Sequence, residues 1–379
     1  MIPFNQPYLT GKEGAYIEVA FRKGKFSGNG YFTQKCHHFF EEHYGFGKCF
    51  LTNSATNALE MAALLAELKV GDEVIVPSYT FVSTANPFAL LGAKLVFCDS
   101  QKENPNISAN ELVSLISART KVIVVVHYAG LACDMDSIME LANRHGILVV
   151  EDAAHAITAR YKERFLGSIG HLAAVSFHET KNISCGQGGM LIVNDPKLVP
   201  RAEKIWAKGT NRLDMERGIV DRYEWVDVGS SFYPSEITAA LLYAQLEVLE
   251  SIQQKRQKIW DTYNTTLDRL EEHRCFRILK PGIHQSNNYH IFCLFCRNKE
   301  DRDALLLHLK QAGVLALFHY LPLHKSPYIR HLGADLSSLP HAEFFADTCV
   351  RLPLYAELSE EDARRIAKII HQFFVLHPA

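Results

Sequence analysis

Two side chains in the middle of the chain have the types and positions that cofactor chemistry needs. Asp152 follows the apolar run 147–150, and Lys181 precedes the glycine-rich turn 186–189. An amine on such a turn is suited to bind an aldehyde as a Schiff base, and an acid at a strand end is suited to keep a pyridine nitrogen protonated. The pair therefore predicts pyridoxal phosphate (PLP) chemistry, with Lys181 and Asp152 as catalytic residues.

A phosphate site is predicted in the same half of the chain. Residues 53–57 follow a short apolar run and begin a helix, where free backbone N–H groups and the helix dipole attract phosphate. Ser54 and Thr56 can add hydroxyl donors. A serine in the position of Ser54 is also a typical helix N-cap, and the two roles are compatible. Ser176 lies on the lysine segment and could reach the same phosphate.

Ring contacts are predicted from two further segments. Tyr79 and Phe81 follow the next apolar run, and either aromatic ring could stack on a pyridine ring or simply pack in the core. His155 follows Asp152 closely and could hydrogen-bond the phenolic oxygen of the cofactor. A buried structural histidine is the alternative for that position.

The elements that must position these residues alternate in type. Strands are predicted at 49–51, 73–76, 95–98, 122–126, 147–150, 173–176 and 190–193, and helices at 54–66, 83–91, 109–116 and 135–144. Such alternation is typical of a largely parallel sheet with helices on both faces. Sheets of this kind bind ligands at the carboxyl ends of their strands, where Ser54, Ser78 and Asp152 fall.

A smaller unit is predicted after this sheet. The pattern indicates long helices over 235–271, strands at 289–296 and 314–318, and helices at 301–312 and 359–374. The 379 residues exceed one ordinary hydrophobic core. We therefore expect a large α/β domain at 1–250 and a small C-terminal α/β domain at 251–379.

Composition and charge exclude several classes of protein. Forty basic and 42 acidic side chains give a formal charge of −2, which favours neither nucleic acid nor an anionic membrane as a partner. The N-terminal residues do not have the pattern of a signal peptide, and the apolar runs are too short to cross a membrane. A cytoplasmic protein is expected.

Nine cysteines are scattered along the chain, and two of them have a spacing that metal ligands use. Cys293 and Cys296 lie in an apolar run that reads as a strand, where positions three apart face opposite sides. We interpret both as buried structural residues and predict no metal site.

The motifs together resemble the DegT/StrS sugar-nucleotide aminotransferases, PLP enzymes of fold type I, the aspartate aminotransferase fold. The resemblance runs nearly end to end and is carried by segments 53–59, 71–81, 151–155, 176–182, 319–324 and 351–354. It implies that Lys181 is the Schiff-base lysine and that Asp152 binds the pyridine nitrogen. It further implies the contacts of His155 with the phenolic oxygen, of Phe81 with the ring, and of Ser176 and the Ala55 and Thr56 amides with the phosphate.

Three positions depart from the pattern of the family. His155 stands where glutamine is common but keeps a hydrogen-bond donor, and Gln187 stands where a glutamate usually precedes the glycine pair. Many members place an asparagine from the neighbouring subunit on the phosphate, and this chain offers Ser231 instead.

The resemblance also implies substrates and assembly. Members form homodimers with active sites at the interface, and glutamate gives its amino group to a nucleotide-linked keto sugar. Segments 81–86, 178–182 and 228–231 indicate the subgroup that aminates C4 of dTDP-4-keto-6-deoxy-D-glucose for surface polysaccharides, such as lipopolysaccharide or enterobacterial common antigen. In this mechanism Lys181, once released, is the general base and acid.

Three other functions compete with this prediction. A 3-aminotransferase acting on an isomeric 3-keto sugar differs only in hexose orientation, which the sequence does not show. The related sugar dehydratases have histidine in place of the lysine, so Lys181 argues against that activity. A non-enzymatic PLP-binding regulator is disfavoured by the intact pair of Lys181 and Asp152.

Substrate contacts are predicted on two segments. His319, Tyr320 and His324 lie on a proline-containing segment that resembles the sugar-facing loop of the family, although such a segment could also simply join two domains. Residues 27–31 could close over the nucleotide sugar.

Overall fold

The computed structural model of the chain describes residues 1–272, 275–332 and 337–376 and shows an α/β architecture. Its strands are β1 (Lys48–Thr52), β2 (Glu73–Pro77), β3 (Lys94–Cys98), β4 (Thr120–Val126), β5 (Leu148–Asp152), β6 (Arg160–Tyr161), β7 (Arg164–Phe165), β8 (Leu172–Ser176), β9 (Gly189–Val193), β10 (Phe276–Ile278), β11 (Phe292–Cys296) and β12 (Cys349–Leu352).

Helices cover both sheets that these strands form. They are α1 (Glu13–Arg22), α2 (Tyr31–Tyr44), α3 (Ala55–Leu65), α4 (Asn86–Leu90), α5 (Ala109–Leu115), α6 (Met135–His145), α7 (Val199–Trp206), α8 (Arg212–Glu216), α9 (Glu236–Leu246), α10 (Leu249–Glu272), α11 (Lys299–Gln311), α12 (Pro327–His331), α13 (Pro340–Thr348) and α14 (Glu360–Leu376). Short 3-10 turns lie at Val82–Thr84, Tyr128–Gly130, Pro196–Leu198 and Leu323–Lys325.

The large sheet is mostly parallel, which confirms the predicted fold class. Its strand order is β1-β9-β8-β5-β4-β2-β3, and only β9 runs antiparallel to its neighbours. Alternate residues of β4 pack on opposite faces: Ile123 and Val125 lie in the core under α2 and α6, and Val122 and Val124 in the core under α3 and α7. A strand covered on both faces must be apolar throughout, and this explains the continuous run of β4.

A second, antiparallel sheet of β10, β11 and β12 packs against α10, α11 and α14. Helix α10 spans residue 250, where the boundary between the two domains was predicted. The division into two domains stays a prediction. Cys293 and Cys296 are buried in β11 and lie in different hydrophobic clusters, on opposite faces of the strand. The described residues include no group of histidine, cysteine and acidic side chains that could hold a metal ion.

Two predicted elements differ from the structure. The helix expected at 83–91 is a 3-10 turn followed by α4, because Pro87 has no N–H group and fits only the first turn of a helix. The strand expected at 314–318 is reduced to isolated bridges, which pair Val314 with Ile2 and Leu317 with Arg351.

Strand β11 is also shorter than predicted at its start. Tyr289 has φ of 55°, in the left-handed region, so the extended conformation begins only at Phe292. None of the helices in the described part of the chain has the length and apolar content needed to cross a bilayer.

Candidate active site

A cavity of about 590 Å³ opens at the carboxyl ends of β5 and β8, beside the N-terminus of α3. This volume is in the usual range for small-molecule sites. The cavity brings together most of the residues that the sequence predicted, namely Ser54, Ala55, Thr56, Phe81, Asp152, His155, Ser176, Lys181, His319 and Tyr320.

Asp152 ends β5 and is buried at the cavity wall. Its Oδ2 accepts a hydrogen bond from Thr84 Oγ1 at 2.7 Å, and its Oδ1 accepts one from the Ala154 amide at 3.1 Å. Burial raises the pKa of Asp152, while the hydrogen bonds and the charge of Lys181 oppose that change. A buried carboxylate of this kind is suited to bind a cationic N–H group of a ligand.

Lys181 lies on the turn between β8 and β9 and faces the same cavity. The turn is closed by backbone hydrogen bonds from Phe177 to Gly188 and from Glu179 to Gly186. Burial lowers the pKa of Lys181 to about 8; Asp152 opposes this change and Arg351 adds to it. The fraction of uncharged amine near neutral pH is therefore larger than for an exposed lysine, and this form is able to react with an aldehyde.

The start of α3 forms an anion-binding cradle. Ser54 caps the helix, since its Oγ accepts a hydrogen bond from the Asn57 amide at 3.1 Å. The Ala55 and Thr56 amides have no hydrogen-bond acceptor among the residues that the structure describes, as expected for a first helical turn. These free donors and the helix dipole favour a phosphate.

Gly189 allows the lysine segment to approach this cradle. A Cβ atom at Gly189 would lie 2.3 Å from the Ala55 nitrogen, so a larger residue would separate β9 from α3. Ser176 pairs with Gly189 across the sheet, and this places the end of β8 beside the same amides. The cradle and Lys181 are thus held in one arrangement by backbone contacts.

The His155 side chain is a neutral hydrogen-bond donor. Its Nδ1 accepts a hydrogen bond from the Ala129 amide at 3.2 Å, so the ring proton is on Nε2. Burial, with smaller contributions from Lys181 and Arg351, lowers the pKa of His155 well below its usual value. His155 can therefore donate from Nε2 to an anionic oxygen in the cavity, the role predicted for this residue.

The structure distinguishes the two aromatic candidates for ring contact. Phe81 lines the cavity with 55% of its surface exposed, and its ring lies 6.0 Å from that of Tyr320. Tyr79 is buried outside the lining, and its hydroxyl donates to the His319 carbonyl. Phe81 is thus the residue placed to contact a cofactor ring, and Tyr79 anchors the 319–320 segment.

Two of the three predicted substrate residues reach the cavity. His319 and Tyr320 line it, with their rings stacked at 3.6 Å between centroids. His324 is buried outside it, with Nδ1 2.6 Å from Ser78 Oγ and Nε2 3.2 Å from Glu343 Oε1. Both ring nitrogens of His324 have protein partners. We therefore interpret His324 as a link between the end of β2 and α13, and not as a substrate contact.

One further predicted residue, Ser231, and one predicted segment, 27–31, lie away from the lining. Ser231 is exposed and does not line the cavity of its own chain, and its carbonyl accepts a hydrogen bond from the Asn53 side chain at 2.9 Å. Its side chain could therefore contact a phosphate only in the cavity of a second subunit. Residues 27–31 do not line the cavity in the described chain. The buried Glu236 accepts hydrogen bonds from the Gly30 and Phe32 amides and fixes this loop against α9.

Arg351 in the second sheet and His290 just before β11 complete the site, and the sequence analysis assigns them no role. Arg351 of β12 lines the cavity and is mostly buried, and its Nε has no hydrogen-bond partner among the described residues. His290 lines it too, with Nδ1 2.6 Å from Asn182 Oδ1. Arg351 lies in segment 351–354, which carries the resemblance, but only the fold shows that its Nε is left without a partner among the described residues.

Comparisons with known proteins agree with this geometry. The sequence profile of the DegT/DnrJ/EryC1/StrS aminotransferase family matches residues 7–371. The uncharacterized protein MJ1066 of Methanocaldococcus jannaschii is 32% identical over 339 residues, which cover 87% of this chain and 86% of that protein.

Solved structures are similar over nearly the whole chain. The putative sugar aminotransferase Spr1654 from Streptococcus pneumoniae has a TM-score of 0.91 in its PMP form, with 26% identity and coverage of 98% of this chain and 99% of that one. Its PLP form also gives 0.91, with 25% identity and full coverage of both chains. The aminotransferase TlmJ from Streptoalloteichus hindustanus gives 0.91, with 29% identity and 100% coverage of both chains.

Proposed function

Because the chain belongs to the DegT/DnrJ/EryC1/StrS aminotransferase family, we propose that it uses PLP to transfer the amino group of L-glutamate to C4 of dTDP-4-keto-6-deoxy-D-glucose. The product would be dTDP-4-amino-4,6-dideoxy-D-galactose. The observation that carries the reaction type is the placement of Lys181 and Asp152 in one cavity beside the free amides of α3. The PLP and PMP forms of Spr1654 support the cofactor.

The side chains in the cavity fit this cofactor. PLP, when bound, supplies an electron sink that makes the C–H bond beside the transferred nitrogen acidic. The α3 amides, with Ser54, Thr56 and Ser176, would hold its phosphate, and Phe81 would cover the ring. Asp152 would accept from the ring nitrogen, and His155 Nε2 would donate to the phenolic oxygen.

The position and pKa of Lys181 support a role in moving the proton during transfer. With a pKa of about 8, the amine populates both its neutral and its charged form near neutral pH. A group of this kind can take a proton from one carbon and return it to another, and the face from which Lys181 delivers it decides whether the new amine is axial or equatorial. The galacto product has an axial amine at C4, so the proton would have to be delivered to the face on which it becomes equatorial.

The amino donor is assigned from Arg351. Arg351 is buried, its guanidinium lies 4.6 Å from the centre of the Phe4 ring, and its Nε has no hydrogen-bond partner among the described residues. A buried charge is costly unless it is paired. A carboxylate of L-glutamate would supply the missing charge and two parallel hydrogen bonds. Arg351 therefore supports an α-amino carboxylate as donor.

Arg351→Gln is expected to raise the KM for L-glutamate by about tenfold to a hundredfold, because a charge-assisted hydrogen bond is lost. Affinity for PLP should stay unchanged. The measurement is steady-state kinetics with glutamate varied at saturating keto sugar, and the control is Arg144→Gln, which removes an exposed ion pair with Glu140. A rise in KM for the keto sugar alone would move Arg351 to the acceptor.

The sugar acceptor is proposed from the chain segments that resemble the C4-aminating subgroup, 81–86, 178–182 and 228–231. His319 and Tyr320 add polar groups to the cavity wall that can bind sugar hydroxyls. The product would serve surface-polysaccharide synthesis, such as that of lipopolysaccharide or enterobacterial common antigen, from the cytoplasm.

Product analysis tests this assignment. The holoenzyme is incubated with L-glutamate and dTDP-4-keto-6-deoxy-D-glucose, and the amino sugar is identified by NMR. The expected product carries an axial amine at C4. Amination at C3 in a parallel incubation with the 3-keto isomer, together with no reaction of the 4-keto sugar, would establish the alternative 3-aminotransferase. An equatorial amine at C4 would contradict the galacto assignment.

A homodimer is proposed from the exposed apolar side chains of one segment. Ile219, Tyr223, Trp225 and Val228 are all at least half exposed, and Trp225 is 83% exposed. Clustered exposed apolar side chains commonly mark an interface. Light scattering should give twice the mass of one chain, and Trp225→Glu should shift the protein toward the monomer. A monomeric wild type with full activity would contradict the shared active site and the phosphate role of Ser231.

A further inference from the structure

A pair of threonines connects the cavity wall to Asp152. Thr84 Oγ1 lies 2.7 Å from Asp152 Oδ2, and Thr80 Oγ1 lies 2.7 Å from Thr84 Oγ1. All three side chains are buried. Neither hydroxyl has a role in the proposed reaction.

The direction of both hydrogen bonds follows from the number of protons. An ionised carboxylate only accepts, so the single hydrogen of the Thr84 hydroxyl points to Asp152. The hydroxyl of Thr80 must then donate to Thr84. A donor that itself accepts a hydrogen bond is polarised, which strengthens its bond to the carboxylate.

The backbone holds Thr84 in this position. Thr84 ends the 3-10 turn Val82–Thr84, and its amide donates to the Phe81 carbonyl at 3.0 Å. The preceding Ser83 accepts a hydrogen bond from Thr56 at 2.8 Å. One short turn thus contacts the phosphate cradle, the ring wall and the acid, so its geometry fixes the distances between them.

We infer that Thr84 is a positioning residue for Asp152: its hydroxyl, oriented by Thr80, keeps the carboxylate ionised and turned to accept a cationic N–H group in the cavity. This inference rests on the proposed function, because the cationic group is the protonated ring nitrogen of PLP. Without the hydroxyl, burial favours the neutral acid, which cannot hold a proton on that nitrogen.

Other charged and titratable groups near Asp152 do not replace this hydrogen bond. They are Lys181 on the lysine turn, His127 at the end of β4, His155 after β5, Tyr320 on the 319–320 segment and Arg351 of β12. None of them donates a side-chain hydrogen bond to the Asp152 carboxylate within the described residues. Thr84 is the side chain that does.

The experiment compares Thr84→Val with Thr84→Ser. Valine keeps the shape of threonine and removes the hydroxyl, whereas serine keeps the hydroxyl. The first readout is the melting temperature of the cofactor-free protein between about pH 5 and about pH 8. The second is the affinity for PLP at about pH 8, measured by fluorescence titration.

The expected result has a definite sign. Burial raises the pKa of Asp152 above its usual value. The folded protein therefore loses stability as pH rises from the usual pKa of the acid to the raised one, because the buried carboxyl group ionises less readily than in the unfolded chain. Loss of the hydroxyl makes that decrease in stability larger, and the melting temperature of Thr84→Val should fall further below wild type at the higher pH, by roughly 2 °C more. PLP affinity should fall about tenfold, and Thr84→Ser should match wild type in both readouts.

The inference is overturned if the valine and serine variants behave alike, or if the loss in the valine variant does not depend on pH. Thr80→Val provides a second variant should Thr84→Val fail to fold: it leaves the hydrogen bond to Asp152 but removes its polarisation, so a smaller change of the same sign is expected. A wild type that binds no PLP would reject the proposed function, while the melting measurement still tests the contact between Thr84 and Asp152.

Discussion

Lys181→Ala is expected to remove the visible absorption of lysine-bound PLP and to reduce turnover by at least about 10³-fold. Alanine has no amine to bind the aldehyde and none to carry the proton. The change is small for the fold, because Lys181 makes no side-chain hydrogen bond within the described chain. The measurements are the absorption spectrum of the purified protein and the rate of amino-sugar formation.

The matched control is Lys162→Ala, which removes an exposed lysine paired with Asp136 and should change neither readout. PLP should still bind the alanine variant without a covalent bond, because the α3 amides and Ser176 remain. Equilibrium dialysis measures that binding. Full turnover in Lys181→Ala, or an unchanged absorption band, would show that another amine holds the cofactor and would reject the assigned role.

The pH dependence of this lysine follows from the same burial. Because the pKa of Lys181 is lowered to about 8, PLP uptake by the cofactor-free protein should accelerate as pH rises through that value and then level off. An exposed lysine would reach its plateau about two pH units higher. The environment of Lys181 thus makes it reactive at a pH where surface lysines are almost fully charged.

Local sequence predicted the parts of the fold that are fixed by burial on two faces. The runs of β4 and β5 are apolar because helices cover both sides, so pattern and structure agree. Prediction failed where a single residue overrides the pattern. Pro87 delays the start of α4, and the left-handed Tyr289 delays β11. These backbone constraints act at single residues. A hydrophobic pattern read over many residues does not show them.

Some residues of the site could also be predicted from local sequence, and others could not. Asp152 and the Ser54–Thr56 turn were predicted from sequence because each follows an apolar run, and strand ends meet at one edge of a parallel sheet. Lys181 was predicted from its position before the glycine-rich turn 186–189. Arg351 reaches the cavity from β12, and His290 reaches it from the segment just before β11. No local sequence pattern marks either residue as part of the site. His324 is the reverse case. Its sequence segment predicted a substrate contact, but its ring points away from the cavity and contacts Ser78 and Glu343.

Asp152→Asn is expected to keep the absorption of lysine-bound PLP and to lower turnover by about 10²–10³-fold, the usual effect of removing one preorganised charge from an active site. Asparagine has nearly the same shape, and Thr84 can still donate to its amide oxygen. What is lost is the negative charge that keeps the ring nitrogen protonated and so sustains the electron sink.

The rate of amino-group release from glutamate, followed in a single turnover by the change in absorption, isolates this effect from sugar binding. Asp136→Asn is the control, because it removes an exposed carboxylate and should leave the rate unchanged. An unchanged rate in Asp152→Asn would remove the role assigned to the acid even if Lys181 proved essential. If Asp152→Asn is slow and Thr84→Val is slowed less, in the same step, then the carboxylate acts through its charge and Thr84 acts by maintaining that charge.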